Sequence, residues 1–297
     1  MKRRTFLRLS AGAIVSGIAC PNVVVARPKD LMKRIGISSV TFRARFRQTR
    51  IENHPQMDEL KLTDIPEYFA DRFKVHNVEF WSRHFESQSP AYLEKLTKRV
   101  AETKSVLINV QIDEAYNLAD SSEESRQKSV TFFKTWIDSA VALGSMSIRA
   151  NTGSGSADSC IRSFREIEKY AKQKGILLLV ENHGGLSSDP DALIQVVKAV
   201  GSKNLEILPD YGNFAPEIRY QGLKAILPYA KHLISAKTHQ FDENGKHTDF
   251  DFDRCMRMAQ ASGFPGYYSA EYYDGHGKPV DYEKVTDWMI EHIKANL

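Results

Sequence analysis

The chain has 297 residues, 42% hydrophobic and 26% charged, enough for one large domain or two small ones. Its formal charge is +4, but Lys2, Arg3, Arg4 and Arg8 fall within the first 26 residues, which carry no acid, so the remainder is neutral. A neutral body lacks the basic footprint that phosphate neutralisation demands, which argues against a nucleic-acid partner.

The opening MKRRTFLRLS sets Arg3 and Arg4 before Phe6 and Leu7; the weakly apolar AGAIVSGIA then leads to Val24, Val25 and Ala26. This is the layout of a twin-arginine signal over residues 1–26, leaving 27–297 as one mature domain delivered to the periplasm. Its apolar core is about half of the ~20 residues a bilayer span needs, so no transmembrane helix is expected. Cys20 closes Gly17-Ile18-Ala19-Cys20, a partial lipoprotein box with Gly17 in place of the usual branched residue, which leaves lipid attachment as an alternative. The mature thiols, Cys160 and Cys255, read as buried and unpaired, although an oxidising compartment would allow them to pair. Twin-arginine export carries folded proteins, so a metal could be loaded before the chain leaves the cell.

Beyond the leader, runs rich in Ile, Val and Leu alternate with segments of helical period. The predicted strands, in chain order, are RIGISSV at 34–40, VHNVEF at 75–80, SVLINVQI at 105–112, MSIRA at 146–150, ILLLVE at 176–181, LEILPD at 205–210, LISAKTH at 233–239 and YYSAE at 267–271. Helices are predicted in DIPEYFADRF, AYLEKLTKRVAETK, SVTFFKTWIDSAVALG, SCIRSFREIEKYAKQKG, DPDALIQVVKAVGS, QGLKAILPYA, DFDFDRCMRMAQASG and DYEKVTDWMIEHIKAN. Asp189-Pro190 reads as an N-cap followed by a first-turn proline, and Gly144, Gly175 and Gly263 sit where helices stop.

Eight strands alternating with eight helices have the rhythm of a closed (β/α)8 TIM barrel. An open doubly wound sheet is the alternative, but it would spread the last four strands along one edge, and no Gly-rich phosphate loop follows the first strand. The long connection FRARFRQTRIENHPQMDELKLTD carries Arg43, Arg45, Arg47, Arg50 and His54, and reads as a lid, an oligomer contact or a solvated basic loop.

Glu181, Asp210, His239 and Glu271 stand at the carboxyl ends of the last four predicted strands, at intervals of 29, 29 and 32 residues. A barrel delivers such residues to one face. Three carboxylates and an imidazole suit a divalent ion, Mn2+ foremost, with Co2+ or Mg2+ as alternatives, better than the thiolate-rich sets that select zinc. Four protein ligands around a six-coordinate ion leave positions for two adjacent sugar oxygens, and the ion would stabilise an enediolate as a Lewis acid.

The strings VENHGG at 180–185, LPDYGNF at 208–214, AKTH at 236–239, FDENGKHTDFDFDR at 241–254 and GYYSAEYYDG at 266–275 resemble the xylose-isomerase-like sugar phosphate isomerase/epimerase superfamily over essentially the whole mature barrel. The resemblance implies the same four metal ligands, with Glu181 and Glu271 as the acid/base pair that removes and returns a proton. Two positions depart from the ketose-epimerase pattern. Asn213 stands where a His follows the metal-binding Asp by three residues, and Lys237 shares a strand face with His239. Lys237 reads either as an oxyanion-stabilising or basic group or as charge balance for the acids.

His183, two residues after Glu181 in the matched string, is a candidate substrate contact or proton shuttle. Arg149 and Trp81 end other strands and are candidates for a substrate hydroxyl or carboxylate and for a sugar face, or for rim structure; Glu79, Gln111, Asp113 and Glu114 also lie at strand ends. The expected activity is metal-dependent isomerisation or epimerisation of a sugar. A 3-keto-glycoside lyase using the same site is the alternative, since enolate formation is common to both and an exported protein is remote from sugar phosphates. A metal-dependent nucleic-acid phosphodiesterase and a catalytically silent sugar-binding barrel rank lower.

Overall fold

In the computed structural model, residues 31–50, 57–273 and 280–297 are described. The expected signal at 1–26, with Cys20, and His54 of the long connection lie outside the described residues. Eight parallel strands, β1 (Ile35–Ser38), β2 (Asn77–Trp81), β3 (Val106–Gln111), β4 (Ser147–Ala150), β5 (Leu177–Glu181), β6 (Leu205–Leu208), β7 (Leu233–Thr238) and β8 (Tyr267–Tyr272), pair in the order 6-5-4-3-2-1-8-7. Between β6 and β7 the seam is joined by a parallel bridge from Asp210 to Ser235, where Ser235 N donates to Pro209 O at 2.9 Å and Tyr211 N to Ser235 O at 3.2 Å. The sheet is thereby drawn round into the barrel that the alternation predicts. The helices α1 (Ile65–Phe73), α2 (Pro90–Glu102), α3 (Glu123–Ala142), α4 (Ala157–Lys174), α5 (Pro190–Val200), α6 (Arg219–Ile226), α7 (Phe252–Ala261) and α8 (Tyr282–Ala295) follow the strands in turn.

Local chemistry sets the helix ends. Ser122, Ser156, Asp189, Asp251 and Asp281 cap α3, α4, α5, α7 and α8 by accepting from first-turn amides. Pro190 then occupies the first turn of α5, and Gly175 ends α4 at φ 77°, a left-handed conformation that a side chain would strain. Among the described residues no helix is long and apolar enough to cross a membrane.

Side chains alternate across each strand. Val78, Phe80, Val110, Ile148, Leu178, Val180, Ile207, Ile234 and Ala236 join the buried shell shared with helix residues such as Phe69, Phe133, Phe164 and Met289. A separate cluster of Ile108, Leu179, Leu208 and Leu233 forms the floor of the barrel interior. Gly36 makes room there, since a Cβ on it would come within 2.7 Å of Ile108 Cδ1. Above the floor lies a polar layer. Asn109 Nδ2 donates to Glu79 Oε1 at 2.6 Å, Ser269 Oγ to Glu79 Oε2 at 2.5 Å and Ser147 Oγ to Asn109 Oδ1 at 2.8 Å. The β2–β3 register shifts between Val78 and Glu79, which turns both Ile108 and Asn109 inward.

The long connection after β1 is partly structured. A 3-10 helix spans Ser39–Arg45, and Phe46 stacks on the His84 ring at 3.6 Å between centroids. His84 is buried between Ser39 Oγ and Thr49 Oγ1, and burial holds its imidazole well below the usual histidine range. Arg43 lies over the Tyr273 ring at 4.1 Å, Arg45 donates to Tyr68 Oη and Arg50 pairs with Glu59. Cys160 and Cys255 are both buried and free.

Candidate active site

The carboxyl ends of the strands open onto a polar cavity of about 360 Å3 lined by Val40, Trp81, Arg83, Asp113, Glu114, Arg149, Asn151, His183, Lys237, Glu271 and Tyr273. Glu271 is held from one side, since Gln111 Nε2 donates to its Oε2 at 2.7 Å. Asp210 is held in the same manner: its Oδ1 accepts the Gly212 and Asn213 amides at 2.8 and 3.0 Å. Its backbone is bracketed too, because Asn182 Oδ1 accepts from Asp210 N at 2.7 Å and Asn182 Nδ2 donates to Asp210 O at 3.1 Å. His239 Nδ1 lies 2.7 Å from the Tyr273 carbonyl, which selects the tautomer protonated there and leaves Nε2 as the acceptor. Gly212 passes so close that a Cβ would fall within 2.3 Å of that Nε2, so glycine is required for the imidazole to stand there.

Two carboxylate oxygens, Glu181 Oε2 and Asp210 Oδ2, are buried without a hydrogen-bond partner. Their cationic neighbours approach without bonding: Arg149 Nε is 3.3 Å from Glu181 Oε2 and Lys237 Nζ is 3.6 Å from Asp210 Oδ2. Lys237 Nζ also lies 3.3 Å from Glu271 Oε1, donates to Asn213 Oδ1 at 3.0 Å and sits 5.4 Å from the Tyr273 ring centre. Burial opposes its charge, but Asp210, Glu271 and Glu181 outweigh that and raise its pKa. Burial pushes Glu181 well above the usual carboxylate range; Arg149 and Lys237 oppose the rise, and the Asp210 and Glu271 charges add to it.

Arg149 is committed on its other edge. Its Nη1 donates to Asp113 Oδ1 at 2.6 Å and to Asn151 Oδ1 at 2.7 Å, and Trp81 Nε1 donates to Asp113 Oδ2 at 2.7 Å. Arg149 and Trp81 therefore form a cross-braced wall around Asp113, with His183 exposed at the mouth. Arg149 keeps Asp113 well below the usual carboxylate range against the opposing effect of burial.

Sequence reasoning passed over Tyr273, Asn182 and Arg83. Tyr273 and Asn182 lie inside the matched strings, next to residues that were singled out, and Arg83 had only its place after Trp81 to mark it. Glu79 lies one layer deeper than the cavity, bonded to Asn109 and Ser269.

The residues fit a divalent ion by three observations. Asp113, Glu181, Asp210 and Glu271 are four carboxylates facing two cations, Arg149 and Lys237, which leaves two negative charges in excess when all are ionised. Two buried oxygens lack donors, and His239 presents Nε2 from a ring oriented by a backbone carbonyl, as metal-bound histidines are. The four are nevertheless not drawn around one point: among the described residues no three His, Cys, Asp or Glu side chains form a metal-holding group. The ammonium of Lys237 stands among them.

A parallel barrel with an acidic, partly unsatisfied cluster and a polar cavity at its carboxyl face defines the class of protein. The chain belongs to the xylose isomerase-like TIM barrel family, whose model matches residues 31–295. No curated protein matches the sequence. Solved structures match the fold at low identity. A xylose isomerase-like TIM barrel protein from Mycobacterium smegmatis in complex with magnesium is 15% identical, with TM-score 0.62, covering 89% of this chain and 97% of that one. A 3-keto-D-glucoside 4-epimerase from E. coli, in its apo form, is 14% identical, with TM-score 0.63 and coverage of 87% and 99%. D-psicose 3-epimerase with D-tagatose, from Clostridium cellulolyticum H10, is 13% identical, with TM-score 0.64 and coverage of 89% and 96%.

Proposed function

We propose that the chain is a divalent-metal-dependent isomerase or epimerase of a non-phosphorylated sugar. The observation that carries this reading is the pair of unsatisfied buried oxygens on Glu181 and Asp210 beneath a polar cavity. Similar folds include epimerases of D-psicose and of a 3-keto-D-glucoside. Glu181, Asp210, His239 and Glu271 would hold the ion, Mn2+ foremost, which when bound supplies Lewis-acid stabilisation of charge on two adjacent substrate oxygens.

The chain's own residues do the rest. Glu271, on β8, removes a proton from the carbon next to the carbonyl, and Glu181, on β5, supplies one to the opposite face. Burial prepares Glu181 for the acid role, because it favours the protonated carboxyl. Gln111 holds the Glu271 carboxylate by its second oxygen, which fixes the orientation of the group. Lys237 and His183 contact substrate oxygens from the cavity wall, while Arg149 and Trp81 keep Asp113 and the wall in place.

A second reading, elimination from a 3-keto-glycoside, is favoured by one feature. A cleft of about 260 Å3 lined by Phe85, Phe132 and Trp136, with Ser82, Ser87 and Gln88, shares Glu114 with the cavity and offers aromatic faces to an aglycone or second ring. Proton NMR in D2O with Mn2+-loaded protein and a panel of free ketoses and 3-keto-glycosides separates the two. Deuterium entering carbon with the glycosidic bond intact supports epimerisation, and released aglycone supports elimination. No exchange with any sugar by metal-loaded protein sinks both.

We propose further that residues 1–26 direct export of the folded protein to the periplasm. An Arg3→Lys, Arg4→Lys double variant should stay in the cytoplasmic fraction; its normal export would refute the assignment.

A further inference from the structure

We infer that Lys237 is an exchangeable internal cation: it holds the metal position in the metal-free protein, and an arriving divalent ion must expel it toward the substrate cavity. The inference rests on the metal reading above and adds what keeps the metal out and what the displaced group then does.

Lys237 Nζ stands 3.6 Å from Asp210 Oδ2 and 3.3 Å from Glu271 Oε1, the oxygens left over after Gly212, Asn213 and Gln111 have satisfied the others. An ammonium and a divalent ion compete for those lone pairs and repel each other, so they exclude one another there. The two departures from the epimerase pattern also touch: Lys237 donates to Asn213 Oδ1 at 3.0 Å, so Asn213 steadies the ammonium in its resting place.

The ammonium already lies over the Tyr273 ring, 5.4 Å from its centre, with Arg43 over the same ring at 4.1 Å, and both Lys237 and Tyr273 line the cavity, so a short swing into the cavity turns its protons toward a substrate oxygen. When all four carboxylates are ionised, a divalent ion together with Arg149 and Lys237 brings four positive charges and the site is neutral. Metal entry and the release of Lys237 to the substrate are then one event.

Mn2+ binding to the full-length protein, followed by the EPR signal of free Mn2+, tests this with wild type, Lys237→Met and Asn213→Ala. Lys237→Met should bind Mn2+ at least about tenfold more tightly than wild type, and Asn213→Ala, which loosens the ammonium without removing it, should fall between. Equal affinity in all three overturns the inference and leaves the metal site standing; no Mn2+ binding in any of them overturns both. If Lys237→Met is too unstable for the titration, its melting temperature is followed against Mn2+ concentration beside wild type: a larger rise than wild type shows is the supporting result, and no larger rise the contrary one. Asn213→Ala with wild-type affinity is by itself enough to overturn the inference.

Discussion

Glu271 and Glu181 occupy equivalent places on β8 and β5, yet the protein treats them differently. Glu271 has one oxygen fixed by Gln111 and the other beside Lys237. Glu181 has an oxygen with no donor and is fully buried, so its neutral form is favoured. On the reading proposed above, Glu271 is the base and Glu181, whose neutral form burial favours, is the acid. Glu271→Gln should slow exchange of the substrate C–H with solvent deuterium by about 10²–10⁴-fold, with the far-UV circular dichroism unchanged. Exchange within a few-fold of wild type would remove Glu271 from the reaction. These roles could be named from sequence only through resemblance. What separates the two is a contact between residues 160 positions apart.

At the scale of elements, the β5–β6 junction matters most, because it sets Asp210. Asn182 immediately follows β5 and brackets the Asp210 backbone through two hydrogen bonds, while Asp210 in turn bridges to Ser235 across the β6–β7 seam. One side chain therefore ties the position of Asp210 to barrel closure. Removing it leaves a buried amide and a buried carbonyl without their partner. Asn182→Ala should cost about 2 kcal/mol in urea unfolding and weaken Mn2+ binding, since Asp210 loses its register. Unchanged stability would show that water replaces the bracket. The sequence placed strands, helices and caps well here because each depends on nearby residues, such as Asp189 with Pro190 at α5. The bracket was not legible, because Asn182 looked like the neighbour of a ligand.

For the molecule as a whole, the interior is stratified: an apolar floor, a polar layer around Glu79 and the acidic site above. Burial, reinforced by the Glu271 charge, lifts Glu79 from the ordinary 4.5 to about 7. The folded chain thus prefers protonated Glu79 and takes up a proton on folding between those values. Its contribution is fully present below pH 4.5 and is lost as pH rises through about 7. Glu79→Gln keeps the shape and the acceptor for Asn109 without the ionisation. Chemical unfolding at pH 5 and pH 8 should therefore show wild type losing on the order of 3 kcal/mol more than Glu79→Gln across that interval. Parallel pH profiles for the two proteins would show that Glu79 stays charged in the barrel.

The sequence by itself determined the barrel and the candidate ligands. Strand and helix periodicity is a local property, and a closed parallel sheet sends every strand end to one face, so Glu181, Asp210, His239 and Glu271 were legible as a group from their spacing alone. Only the tertiary structure decided which side chains surround that group. Lys237 reads from sequence as a catalytic group or as charge balance, and only the fold sets its ammonium between Asp210 and Glu271 with Asn213 behind it. Arg149, a candidate substrate contact, lines the cavity while its guanidinium bonds Asp113 and Asn151 and pairs with Glu181. The physical reason is common to these cases. A charged side chain reaches several partners within a few ångströms, and which of them it meets depends on the convergence of separate strands, which no local pattern encodes.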